Sequence, residues 1–180
     1  MEVYYIYSNI GEDISLDINT KIIGKKILHF KTIDSTNHFA RTLIKEEIDE
    51  GSIVVADIQT SGRGRNNRLW SSPIGGLWFS VILYPDISSK KGMTVTMAAS
   101  VSVADAIKKS FGLNTEIKWP NDILINGKKV CGILTEIETK NDRIFYSIVG
   151  IGINVNNDLD SELENIATSL KIEIQYLIYK

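Results

Sequence analysis

Apolar residues in this chain fall mostly into short runs closed by turn residues, and two stretches carry a helical period. Ile27 to Ile33 reads as a strand. Asp34-Ser35-Thr36 then supplies short polar side chains able to cap a helix, and Phe39, Ala40, Leu43, Ile44 and Ile48 recur at helical spacing with Arg41, Lys45, Glu46 and Glu47 opposite. Ser52 to Ile58 is a short apolar strand running into a loop, Gln59 to Arg68, and Leu77 to Tyr84 is a strand closed by Pro85-Asp86. Residues 93–111 place Met97, Ala98, Val101, Ala104, Ile107 and Phe111 on one helical face, with Gly112 as the stop. Thr115 to Trp119 is extended, because Pro120 disfavours a helical residue before it. Asn126-Gly127 lies between Ile123–Ile125 and the run from Lys129, and predicts a hairpin because both turn residues tolerate positive φ. Arg143 to Ile151 pairs with Val130 to Glu138 across the turn at 139–142. Helices beside hairpin strands predict an α+β domain. The first 26 residues, with Tyr4, Tyr5, Ile6 and Tyr7, follow no period and form a poorly determined lead-in.

Composition narrows the class. A chain of 180 residues with 43% hydrophobic and 23% charged residues is globular, and a chain of that length buries roughly 68 to 70% of its unfolded surface without staples. Cys131 has no second cysteine to pair with, and with two histidines it makes no structural zinc set. Without an apolar run of roughly 18 residues or a basic leader, the expectation is a cytoplasmic protein with no membrane contact. The net charge of −2 argues against a nucleic-acid binder, whose surface is normally basic.

The densest polar feature is Gly62-Arg63-Gly64-Arg65-Asn66-Asn67-Arg68, three guanidinium groups in six residues. Its glycines let backbone amides approach a ligand, and its arginines suit phosphate or carboxylate; the plainer alternative is a solvated basic loop. Trp70 just beyond adds a surface on which a base can stack. No Walker phosphate loop is present, and Gly150-Ile151-Gly152 lacks the third glycine and helix of a dinucleotide fingerprint, so a bulge or tight bend also fits it. Lys118 ends an extended segment, where it can be an ordinary surface lysine or a cation aimed into a cleft. Cys131 reads as a small buried hydrophobe, and His29 and His38 have no catalytic partner in sequence.

Taken in order, Asp34-Ser35-Thr36-Asn37, Gln59, Gly62-Arg63-Gly64-Arg65, Arg68, Trp70, Ser72-Pro73, Lys118-Trp119-Pro120-Asn121-Asp122, Gly132-Ile133-Leu134 and Gly150 to Val155 resemble the catalytic domain of biotin protein ligases, over about residues 27 to 170. The resemblance implies a mixed, largely antiparallel sheet with helices packed on one side. It implies formation of biotinyl-5'-AMP from biotin and ATP with Mg2+, then transfer of biotin to a lysine of a biotin carboxyl carrier domain. Biotin contacts carry over to Ser35, Thr36, Asn37, Gln59, Arg63, Gly64, Arg65, Lys118 and Gly132, and nucleotide contacts to Arg65, Arg68, Trp70, Asn121 and Asn154. Lys118 is the expected main electrostatic catalyst, with Arg63 and Arg65 beside it. Two departures stand out. Asn67 replaces the glycine that the family usually has before its third arginine, and asparagine tolerates left-handed φ. The sequence ends at Lys180, where members usually continue into a small β-barrel, so the expected unit is a catalytic domain over 27–180 with carrier docking or loop closure weakened. With 26 residues before Ile27, no DNA-binding module is expected, whereas a homodimer through an edge strand stays open. The alternatives are a lipoate or octanoate ligase or transferase of the same fold, and a biotin-binding remnant without ligase activity.

Overall fold

Two hairpins organise the sheet in the computed structural model, which describes residues 20–175. Asn126 (φ 51°) and Gly127 (φ 76°) reverse the chain between β5 (Asp122–Ile125) and β6 (Lys128–Lys140). Asn141 (φ 51°) and Asp142 (φ 60°) do the same between β6 and β7 (Arg143–Ile153). With β1 (Ile27–Ile33), β2 (Ile53–Gln59), β3 (Leu77–Leu83) and β4 (Glu116–Lys118), these make one seven-stranded sheet in the order β1-β2-β3-β7-β6-β5-β4. β1 and β2 pair in parallel, and the other neighbouring pairs are antiparallel. The helices are α1 (Thr36–Ile44), α2 (Met93–Phe111) and the short α3 (Leu170–Ile174). Residues 1–19 of the lead-in lie outside the described residues, and 20–26 form turns.

Side chains alternate across a strand, so the register assigns each residue a face. Trp78, Ser80 and Ile82 of β3 share a face with Ile148, Gly150 and Gly152 of β7 and with Gly132, Leu134 and Glu136 of β6. This front face carries α1, whose Ala40 and Leu43 pack with Leu28, Val54, Ile82 and Ile148. The opposite face carries α2, whose Val103, Ala104 and Ile107 pack with Ile133, Val149, Ile151 and Ile153. The α+β class and the largely antiparallel sheet match expectation; the placement of helices differs from the one-sided layer expected, since α1 and α2 cover opposite faces. β3 explains the arrangement: its nearly uninterrupted apolar run suits a strand buried on both sides.

Two helix details also differ from the sequence reading. α1 stops at Ile44, and Glu47 at φ 57° turns the chain so that Ile48 is still buried. On α2, Met97 and Val101 are 44% and 58% exposed, while Thr96 and Ser100 are buried against the sheet. Those two polar side chains pack inward because they are bonded: Thr96 Oγ1 to Thr135 Oγ1 at 2.8 Å, and Ser100 Oγ to the carbonyls of Thr96 and Pro120 at 2.9 and 3.1 Å. Between α2 and β3 the back face keeps an apolar groove of about 850 Å³, lined by residues such as Phe79, Val81 and Ala99. Among the described residues no helix is long and apolar enough to cross a membrane.

Candidate active site

The site begins where β1 hands over to α1. Ser35, Thr36 and Asn37 are buried at 3 to 4% exposure, and buried polar groups require partners. Thr36 N donates to Gln59 Oε1 at 2.9 Å, and Gln59 Nε2 donates to Ser72 Oγ at 2.8 Å. Ser80 Oγ donates to Asn37 Oδ1 at 2.6 Å and lies 2.7 Å from Thr36 Oγ1. Ser35 occupies the N-cap position of α1, yet its side chain makes no capping bond, so the hydroxyl remains available to the pocket it lines.

Three glycines on the front face, Gly132, Gly150 and Gly152, form a floor of bare backbone. Each is needed for close approach. A Cβ at Gly150 would lie 2.9 Å from Asn37 Cγ, one at Gly132 would lie 2.8 Å from the Trp70 ring, and one at Gly152 would overlap the Trp70 indole nitrogen. Trp70 thus lies across the floor, edge-on to the buried Trp78 at 6.3 Å.

The arginine loop forms the wall. Gly64 N donates to Arg68 O at 2.7 Å and Trp70 N to Gly62 O at 2.9 Å, which pins the loop at both ends. Between them Asn66 and Asn67 take φ 54° and 58°, so asparagine does hold the left-handed turn. Arg65 Nη1 donates to Asn121 Oδ1 at 2.8 Å. Arg63 Nη1 stands 4.0 Å from Glu136.

The structure gathers Ser35, Thr36, Asn37, Gln59, Arg63, Gly64, Arg65, Trp70, Asn121 and Gly132 around one pocket. Arg65, Trp70 and Asn121 also line an adjoining cleft of about 440 Å³ with Arg68 and Asn154, so every expected nucleotide residue meets there. Asn154 is largely committed to the fold: its Nδ2 donates to Thr168 O at 3.0 Å, and its Oδ1 accepts from Asn157 at 3.2 Å. Lys118 is not brought in. It is exposed on β4, and the lysine that lines both pockets, together with Arg65, is Lys129. Lys129 Nζ pairs with Asp122 at 2.7 Å and lies 5.0 Å from the Trp70 ring centroid.

Lys129 was hidden in the sequence by a bulge. Leu124 pairs with Lys129 but Ile123 pairs with Cys131, so Val130 is the extra residue. Strict alternation would put Lys129 on the back face with Cys131; the bulge re-aims it to the front, beside Gly132. Cys131 itself is fully buried, and burial pushes its thiol far above the usual range, so it supplies no nucleophile. No group of three His, Cys, Asp or Glu that could hold a metal occurs among the described residues.

Residues 29–154 match the biotin/lipoate A/B protein ligase family. The chain is 47% identical over 162 residues to the bifunctional ligase/repressor BirA of Bacillus subtilis, covering 88% of this chain and 50% of that protein. It is 35% identical over 124 residues to the biotin–[acetyl-CoA-carboxylase] ligase of Paracoccus denitrificans, covering 68% of this chain and 51% of that protein. Among solved structures, the biotin protein ligase of Aquifex aeolicus in complex with biotin and ATP superposes with a TM-score of 0.71 at 34% identity, covering 86% of this chain and 63% of that one. The chain thus spans about half the length of these two curated relatives. A family match over most of the sheet, converging on the same loop and glycine floor that form the pocket, shows that the chain belongs to the biotin/lipoate A/B protein ligase family.

Proposed function

We propose that this domain joins biotin to ATP, forming biotinyl-5'-AMP and releasing pyrophosphate, and then passes biotin to a lysine of a biotin carboxyl carrier domain, releasing AMP. The observation that carries the reading is a polar pocket running into a wider cleft, with Arg65 and Lys129 lining both. That seam suits the meeting of a carboxylate with a triphosphate. The bound acid is already ionised near neutral pH, so the attack on the α-phosphorus needs no base. Its obstacle is charge: two unit charges at 4 Å repel by about 4 kcal/mol at an effective dielectric of 20. Arg63, Arg65 and Lys129 offset that repulsion, and the part expected of Lys118 goes to Lys129.

The glycines let Trp70 and Asn37 lie directly against the sheet backbone, and the indole so placed walls the acid, which keeps water from a reactive mixed anhydride. Ser35 Oγ, and Trp70 Nε1, which is buried without a hydrogen-bond partner, are among the polar groups left to meet it. In the second step the neutral amine of the carrier lysine attacks the acyl carbon, the bond to AMP breaks, and a proton leaves the new amide. Mg2+ enters with the ATP triphosphate as part of the substrate, since the described residues build no acidic cage for it. The reading includes a cytoplasmic setting and no DNA contact by a chain of net charge −2.

The relatives' names and the Aquifex complex with biotin and ATP support biotin over lipoate or octanoate. The test is pyrophosphate release from Mg-ATP with each acid added separately. Release that depends on biotin is the expected result; release with lipoate or octanoate instead would overturn the biotin assignment.

A further inference from the structure

Glu136 is an acid of this site that the reaction above does not use. It stands on the front face of β6, 22% exposed, and its two oxygens have different partners. Oε1 accepts from Arg41 Nη2 at 2.9 Å, and Oε2 accepts from Asn37 Nδ2 at 2.8 Å. The second hydrogen of Asn37 Nδ2 goes to the carbonyl of Leu134 at 3.3 Å. Neither Glu136 nor that carbonyl can donate, so only one orientation of the Asn37 amide satisfies both. In that orientation both donors are spent inside the protein. Oδ1 accepts from Ser80 and lies against Gly150, on the pocket floor, with one lone pair left.

We propose that Glu136 is a positioning residue that fixes the Asn37 amide with its oxygen toward the pocket, so that the site favours an acid whose ring carries N–H donors over one that carries none. The inference rests on the reading of the pocket as an acid site. The ureido ring of biotin has such donors, and the dithiolane of lipoate and the alkyl chain of octanoate have none. A hydrogen-bonding group left unmatched by its substrate discriminates more strongly than apolar fit does.

Glu136→Gln tests this directly. Arg41 can only donate, so it claims the glutamine oxygen, and the new NH2 group faces Asn37 Nδ2 and drives the amide to turn over. In the full chain, calorimetry of E136Q is expected to show biotin binding weakened at least tenfold and ATP binding changed less than threefold. Asn37 side-chain amide protons, read by 15N NMR without any ligand, are expected to shift and to exchange at least ten times faster than in the wild type. Glu136→Asp, which keeps the charge but draws the carboxylate back, gives the same readouts should E136Q lose its fold. Unchanged Asn37 amide protons with biotin binding within twofold of wild type would overturn the proposal. Wild-type protein that binds no biotin, but whose Asn37 protons respond to E136Q as described, would overturn the biotin reading and uphold the positioning role.

Discussion

Lys129 owes its place to one extra residue in β6, and that single displacement separates it chemically from Lys118, which shares its charge but stands exposed on the edge strand. Lys129→Ala is expected to slow adenylate formation by 10²-fold or more, about 2.7 kcal/mol of transition-state stabilisation, while Lys118→Ala changes it less than threefold. Single-turnover pyrophosphate release checks both, and the opposite ranking would return the role to Lys118. That Ser35, Thr36, Asn37, Gln59, Arg63 and Arg65 gather around one pocket was legible from motif order and the resemblance it carries. Lys129 and Glu136 were not, since a bulge and a cross-strand partnership give no local signal. Asp34 supplies a pH prediction. Burial raises its carboxyl, but hydrogen bonds from His38 and the Ser35 amide, with the His38 charge, outweigh that and hold it below its ordinary 3.8. Stability from a carboxyl lowered on folding is present above the unfolded value and is lost as pH falls through the folded one. The thermal midpoint of Asp34→Asn is therefore expected to fall less steeply than wild type as pH drops below about 4. Parallel melting curves across that range would count against it.

At the scale of elements, turn chemistry was the most readable layer. Asn126-Gly127 and the 139–142 turn put the hairpins where side-chain tolerance of positive φ allows, and Gly112 ends α2 at φ 69°. Nothing lies within 4 Å of where a Cβ would sit on Gly112, so Gly112→Ala meets no clash and isolates the backbone cost. That cost is about 1 kcal/mol for a left-handed alanine, or a drop of about 2 to 4 °C in Tm by calorimetry. An unchanged Tm would show that α2 frays at its end without consequence. Helix faces were less readable. On α2 the apolar residues form a wider band than the contact, and hydroxyls that find partners displaced Met97 and Val101 from it.

For the molecule as a whole, the class and the hairpins could be read from the strand pattern and the mixed sheet from the family resemblance, whereas the side taken by each helix could not. Alternation says that a strand has two faces, and only long-range register says which helix covers which. The sheet consequently separates two apolar clusters, one under α1 at the site and one under α2 behind it. Ile82 is fully buried in the front cluster, on the face that carries Asn37 and Ser80. Ile82→Ala is expected to lower unfolding free energy by about 2 to 5 kcal/mol in denaturant titration and to weaken biotin binding as well. A loss of stability without any loss of binding would show that α1 holds the pocket independently of its packing.

The alternation of Gly150 and Gly152 with Val149, Ile151 and Ile153 has a pharmacological consequence. A small inhibitor seated on that floor would touch peptide backbone at the two positions where any added side chain strikes Asn37 or Trp70. Resistance by filling the floor would therefore evict the natural ligand together with the drug. Resistance at the intervening residues would have to pass through the packing behind the sheet.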